Sequence, residues 1–88
     1  MDDEDIYVVI IINSIYVRWE VFNTTDTMED LYNLLENKYN TGKSIIEIGD
    51  IYFSKSLKAN LYDIAINNSI TAKVSTKNKS YILSKDID

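Results

Sequence analysis

Residues 6–22 read IYVVIIINSIYVRWEVF, two β-branched and aromatic runs, Ile6 to Ile12 and Ile15 to Phe22, divided by Asn13-Ser14. Asn followed by Ser between such runs is the signal for a hairpin with a two-residue loop. That loop sets Ile12 opposite Ile15, Ile10 opposite Val17, Val8 opposite Trp19 and Ile6 opposite Val21. Strand residues alternate sides, so one face of the hairpin becomes wholly apolar. The other face carries Ile11 with Tyr16, Val9 with Arg18 and Tyr7 with Glu20, and is only half polar. Tyr7, Val9, Ile11, Tyr16 and Arg18 therefore form a candidate protein-binding surface. The structural alternative is that another strand, the C-terminal segment or a second copy of the chain covers it.

Working outward, Thr27-Met28-Glu29-Asp30 predicts the start of a helix. Thr27 is the N-cap, Asp30 three residues on resembles a capping box, and the acids suit the helix dipole. Met28, Leu31, Leu34, Leu35 and Tyr39 then recur at three- and four-residue spacing, a stripe that faces a sheet while Glu29, Asn33, Glu36 and Lys38 face water. The helix is expected to end near Asn40-Thr41-Gly42. Ile45-Ile46-Glu47-Ile48 reads as a short strand, with Ile46 and Ile48 inward and Glu47 outward. Gly49-Asp50 turns the chain, and Ile51-Tyr52-Phe53 completes a second, smaller hairpin. Leu57 to Ile66 reads as a loop or single helical turn anchored by Leu61, Ile64 and Ile66. Asn67-Asn68 makes a tight turn into Ser69 to Ser75, whose period-2 pattern (Ile70, Ala72, Val74) marks a half-buried central or penultimate strand.

Composition narrows the function classes. The 88 residues are 45% apolar and 26% charged, with 2 Gly and no Pro, Cys or His. A chain of this size buries only roughly 60–65% of the surface its unfolded form exposes, which leaves room for one core and one domain. Lacking Cys and His, it has no disulfide, no thiolate nucleophile and none of the commonest metal ligands or general bases. There is no Gly-rich phosphate loop either, and Glu29 and Asp30 lie on an exposed helix turn. The expectation is a non-enzyme with no cofactor and no metal site.

The net charge of −5 is concentrated at one end, because Asp2, Asp3, Glu4 and Asp5 form an acidic run. From Ile6 to Ile82 acids and bases balance: Glu20, Asp26, Glu29, Asp30, Glu36, Glu47, Asp50 and Asp63 against Arg18, Lys38, Lys43, Lys55, Lys58, Lys73, Lys77 and Lys79. A neutral body with a single Arg is not built for nucleic acid, whose binding needs clustered cations. No apolar run approaches the roughly 20 residues of a membrane span. The acidic start is the reverse of a signal peptide, so a cytoplasmic or nuclear address is expected. The Asn-x-Ser/Thr matches at Asn23, Asn67 and Asn78 are read as products of an Asn-rich chain rather than glycosylation sites. Residues 1–5 are expected to be an acidic flexible terminus, 6–75 the folded domain, and 76–88 a polar tail in which Tyr81-Ile82-Leu83 could add a strand or self-associate.

The order hairpin, helix, short strand, Gly turn, irregular loop, last strand describes an α+β β-grasp, a mixed sheet of four to five strands on one helix. The residues themselves resemble the ubiquitin-like superfamily from about Ile6 to Ser75. The resemblance rests on Thr25-Asp26-Thr27, on Ile45-Ile46-Glu47-Ile48-Gly49, and on Leu61-Tyr62-Asp63-Ile64-Ala65-Ile66, where Leu61 and Ile66 would plug the open end of the sheet. It implies a noncovalent protein partner. Conjugating members and sulfur carriers end in Gly-Gly, whereas Gly42 and Gly49 are the only glycines here, so a non-conjugating member is expected. Ubiquitin's apolar recognition patch would fall at Ile46 or Glu47 depending on register; with alternation Glu47 faces out, Lys73 lies close by, and these two join the candidate contacts. The stretch Asn23 to Leu31 is similar to the ubiquitin-like splicing modifier, in which the position of Asp26 faces a basic partner helix. Ubiquitin-like proteins of bacterial secretion systems share the size and the missing Gly-Gly. A self-associating structural domain is the remaining expectation.

Overall fold

A computed structural model of the chain describes residues 4–76. The elements run β1 (Asp5–Ile12), β2 (Tyr16–Asn23), α1 (Met28–Lys38), β3 (Ser44–Ile48), β4 (Ile51–Phe53), α2 (Leu61–Ile64) and β5 (Ser69–Thr76). The strands make one five-stranded mixed sheet in the order β2-β1-β5-β3-β4. β1 and β5 pair parallel at its centre, and every other neighbour is antiparallel. The result is a small α+β fold with two helices. The strand ladders reach one residue beyond 6–75 on each side, because Asp5 pairs with Asn23 and Thr76 with Ser44. Residues 1–3 and the Tyr81-Ile82-Leu83 segment, for which a flexible terminus and an added strand are expected, lie outside the described residues.

The core is the inner sheet face closed by α1. Ile6, Val8, Ile10 and Ile12 from β1, Ile46 from β3, and Ile70, Ala72 and Val74 from β5 meet Met28, Leu31, Leu35 and Tyr39 of the helix. Alternation in β5 is complete, with every second side chain buried. Helix α1 starts as its sequence requires. The Thr27 side chain accepts from the Asp30 N–H, the Asp30 carboxylate accepts from the Thr27 N–H at 2.8 Å, and the box is closed in both directions. Asp26 has a structural task of its own, since its carboxylate accepts from the Asn23 N–H at 2.7 Å as β2 turns into the helix.

Left-handed backbone closes the tight turns. Asn67 and Asn68 have φ of 53° and 60°, and Gly49 and Asp50 have 57° and 67°. Asn and Gly accept this conformation at least cost, so both turns form where their sequence signals lie.

The first hairpin departs from its sequence reading. Asn13 and Ser14 do turn the chain, at φ of 52° and 64°, and the Ile15 N–H donates to the Ile12 carbonyl at 3.1 Å. Yet the ladder resumes with Tyr16, not Ile15, opposite Ile12. Ile15 is left as an extra, unpaired residue, 66% exposed. An odd insertion of this kind reverses every side chain downstream. Ile10 therefore faces Arg18, Val8 faces Glu20 and Ile6 faces Phe22. Tyr16 and Phe22 enter the core, while Val17, Trp19 and Val21 turn out.

One expected anchor, Ile66, is missing from the core, and Tyr32 is an unexpected member of it. Leu61 is fully buried, but Ile66 is 77% exposed and plugs nothing. It stands at the mouth of the Asn67-Asn68 turn, where its N–H and carbonyl both bond Ser69 at 3.0 Å. Tyr32, absent from the apolar stripe, is buried. Its hydroxyl donates to the Phe53 carbonyl at 2.5 Å and accepts from the Ile46 N–H at 3.3 Å, tying α1 to β4 and β3.

Candidate functional site

The outer sheet face is the surface that α1 leaves open, and its residues follow from the register. Moving from the β2 edge inward, three rows cross the hairpin: Val21 beside Tyr7, Trp19 beside Val9, and Val17 beside Ile11. β5 continues these rows with Ser69, Thr71 and Lys73. Lys73 in turn lies opposite Glu47, and Glu47 opposite Tyr52. The face thus has an apolar half on β1 and β2 and a polar band on β5, with Ile45, Glu47 and Tyr52 beyond it. Trp19 is 68% exposed, and Val21, Tyr7 and Val17 are about half exposed. Isolated exposed apolar residues are ordinary, but four exposed ones, Tyr7, Val17, Trp19 and Val21, contiguous with half-buried Val9 and Ile11 on one sheet face, are not.

Of the residues singled out in the sequence, Tyr7, Val9 and Ile11 lie on this face, and Glu47 and Lys73 lie beside one another at its polar margin. Tyr16 and Arg18 do not. The extra residue Ile15 moves both to the inner side, where Tyr16 is buried and the Arg18 guanidinium stacks over its ring, 4.0 Å from the centroid. Val17, Trp19 and Val21 take their place. The signal for them was present in the composition of β2, which has large apolar groups at both parities, but the parity depends on one turn residue.

On the inner side of β2, Glu20 meets the end of α1. Its carboxylate accepts a hydrogen bond from the Tyr39 hydroxyl and pairs with the Lys38 ammonium at 2.9 Å, with the side chain 12% exposed. Burial alone would raise the Glu20 pKa, but the Tyr39 hydrogen bond and the Lys38 charge together hold it below the usual carboxylate range. Burial, and then the neighbouring carboxylate, push the Tyr39 phenol well above its ordinary value. The arrangement keeps the phenol protonated and the carboxylate charged, a brace between β2 and the helix C-terminus rather than a proton-transfer pair.

A pH dependence follows. Because the folded pKa of Glu20 is depressed, the native state binds fewer protons than the unfolded one near acid pH. The stabilisation is present above the unfolded value of about 4.3 and is lost as pH falls through the lower, folded value. Glu20→Gln is expected to cost about 1 kcal/mol at pH 7, in the range of a largely buried, charge-assisted hydrogen bond beside a partly screened ion pair. The gap should narrow as pH falls below the ordinary carboxylate range in urea unfolding curves of the two proteins.

Among the described residues, no three carboxylates converge to hold a metal ion, and no helix is long and apolar enough to cross a membrane. A groove between α1 and the β3–β4 hairpin is lined by Tyr32, Ile45, Tyr52 and Phe53. At its rim the Lys55 ammonium pairs with the Glu36 carboxylate at 3.0 Å. No family profile matches the chain, and no curated protein matches its sequence.

Proposed function

We propose that this chain is a non-catalytic, non-conjugating ubiquitin-like module of the β-grasp type that binds another protein noncovalently through the apolar half of its outer sheet face. The observation that carries the reading is Trp19, which stands 68% exposed between Val17 and Val21 and beside Val9. A solvent-facing Trp framed by β-branched residues costs solubility, and it is the side chain most enriched where binding energy concentrates. The sheet order β2-β1-β5-β3-β4, with parallel central strands and a helix crossing one face, supports the β-grasp assignment. Gly42 and Gly49 sit at left-handed positions inside the fold, with φ of 67° and 57°, which supports reading both as turn residues. Glu47 and Lys73 would set the polar border of the contact and its orientation.

The test is recovery of bound protein from lysate by immobilised chain, with identification by mass spectrometry and affinity measurement on the purified partner. Trp19→Ser is expected to weaken binding about 30-fold or more, as truncation of a central Trp does. Val9→Ser should weaken it less. Glu29→Lys, on the exposed face of α1, should leave it unchanged. Equal recovery by the Trp19 and Val9 variants would remove the outer face from consideration.

A further inference from the structure

We propose that two copies of this chain pair edge to edge through β2, antiparallel, in the register that sets Trp19 opposite Trp19 of the second copy. The pairing uses the border of the sheet rather than its face, so it stands or falls separately from the partner surface described above.

Among the described residues no strand pairs with the outer side of β2, and the donors of that edge can be assigned. The N–H groups of Tyr7 and Asn13 reach the Asn68 and Val74 carbonyls at 2.9 and 2.8 Å, so the odd residues of β1 point toward β5. The even residues of β1 therefore point toward β2, where Ile12, Ile10, Val8 and Ile6 meet Tyr16, Arg18, Glu20 and Phe22. Alternation leaves the main-chain groups of Val17, Trp19 and Val21 aimed away from the sheet. The Val17 carbonyl already accepts from Arg18 Nη1 at 2.8 Å, the side chain standing in for a strand. β2 is eight residues long and contains neither Pro nor Gly, whereas the opposite border, β4, has three residues.

Inward-pointing charges on a border strand ordinarily prevent such pairing, because the new strand would bury them. Here the two charges, Arg18 and Glu20, flank Trp19 with opposite sign. In the Trp19-centred register each Arg18 lies opposite the Glu20 of the other copy, twice over by symmetry. Shifting the centre to Arg18 or to Glu20 sets like charges face to face, which is unfavourable in directly opposed pairs. In the favoured register Val17 lies opposite Val21 on the outer face. The outward main-chain groups of Val17, Trp19 and Val21 then bond their counterparts, since all three share one parity. An isologous two-fold contact requires this self-complementarity, and β2 has it along its length.

Sedimentation of the full chain from micromolar to near-millimolar concentration tests the pairing. A concentration-dependent dimer is expected. Val21→Pro removes an outward N–H and none from the β1 ladder, and should leave a monomer. Arg18→Glu should weaken association about tenfold, by turning two opposite-charge pairs into like-charge pairs. Adding Glu20→Arg in the same chain should bring it back, and circular dichroism checks that each variant is folded. If the proline variant does not fold, the charge-reversal variants decide. Val9→Ser, away from the seam, should dimerise as the parent does. A parent chain monomeric throughout, a folded Val21→Pro variant of unchanged dimer mass, or a charge-swapped double variant no stronger than Arg18→Glu would overturn the proposal.

Discussion

Phe22→Ala is expected to lower the unfolding free energy by about 3–5 kcal/mol, the range for truncating a buried aromatic, whereas Trp19→Ala should cost about 0.5 kcal/mol. The two residues sit three apart on one strand, and their ranking depends on the unpaired Ile15. Phe22 is 6% exposed and faces Ile6, while Trp19 is 68% exposed and faces Val9 on the open side. With Ile15 paired to Ile12 instead, Trp19 would be the core residue and Phe22 the surface one, and the costs would reverse. Urea unfolding of the two variants, compared at constant slope, decides between the registers.

Tyr32→Phe is expected to cost about 1–3 kcal/mol although it removes a single oxygen atom. The hydroxyl donates to the Phe53 carbonyl and accepts from the Ile46 N–H, and Ile46 has no exposed surface. Phenylalanine leaves both main-chain groups without that partner where water has little access, so the desolvation penalty outweighs the small gain in apolarity. The loss should be local. Amide exchange at Ile46 and Phe53 is expected to accelerate more than exchange in the β1–β2 hairpin, and uniform acceleration across the sheet would show that Tyr32 supports the whole core instead.

How far the sequence carried the fold differs from element to element. The start of α1 was legible because Thr27 and Asp30 satisfy each other's main-chain groups with no help from elsewhere. The strand β5 was legible because its alternation admits one face only. The turns at Gly49-Asp50 and Asn67-Asn68 were legible from residue types that tolerate left-handed backbone. β2 was not, since Val17, Trp19 and Val21 are as apolar as Tyr16 and Phe22. Composition favours the wrong set, because Arg18 and Glu20 look like surface residues. Their inward placement is possible only because β2 lies at the border, where Glu20 finds Tyr39 and Lys38, and Arg18 lies over the Tyr16 ring. That information is tertiary. Tyr32 lies four residues after Met28 and three before Leu35, within the same helical face, and its hydroxyl is what sets it apart from the apolar stripe. Of the proposed contact surface, Tyr7, Val9 and Ile11 follow from the alternation of β1, Glu47 and Lys73 from the resemblance to ubiquitin's patch, and Trp19 on the border strand from neither.

The central place of β5 bears on how the molecule assembles. β5 lies between β1 and β3, so the two hairpins are hydrogen-bonded into one sheet through it. The Asn13 carboxamide oxygen accepts from the Thr76 N–H at 3.0 Å, across 63 positions of the chain. A ribosome that has released β1 through β4 has therefore released both hairpins and the helix before the strand that joins the hairpins into one sheet. Closing so long a loop must precede any gain from the parallel pairing, which places the slow step late and makes it topological. For this fold, the interval between emergence of β1 and arrival of β5 is when the chain most needs protection from its neighbours.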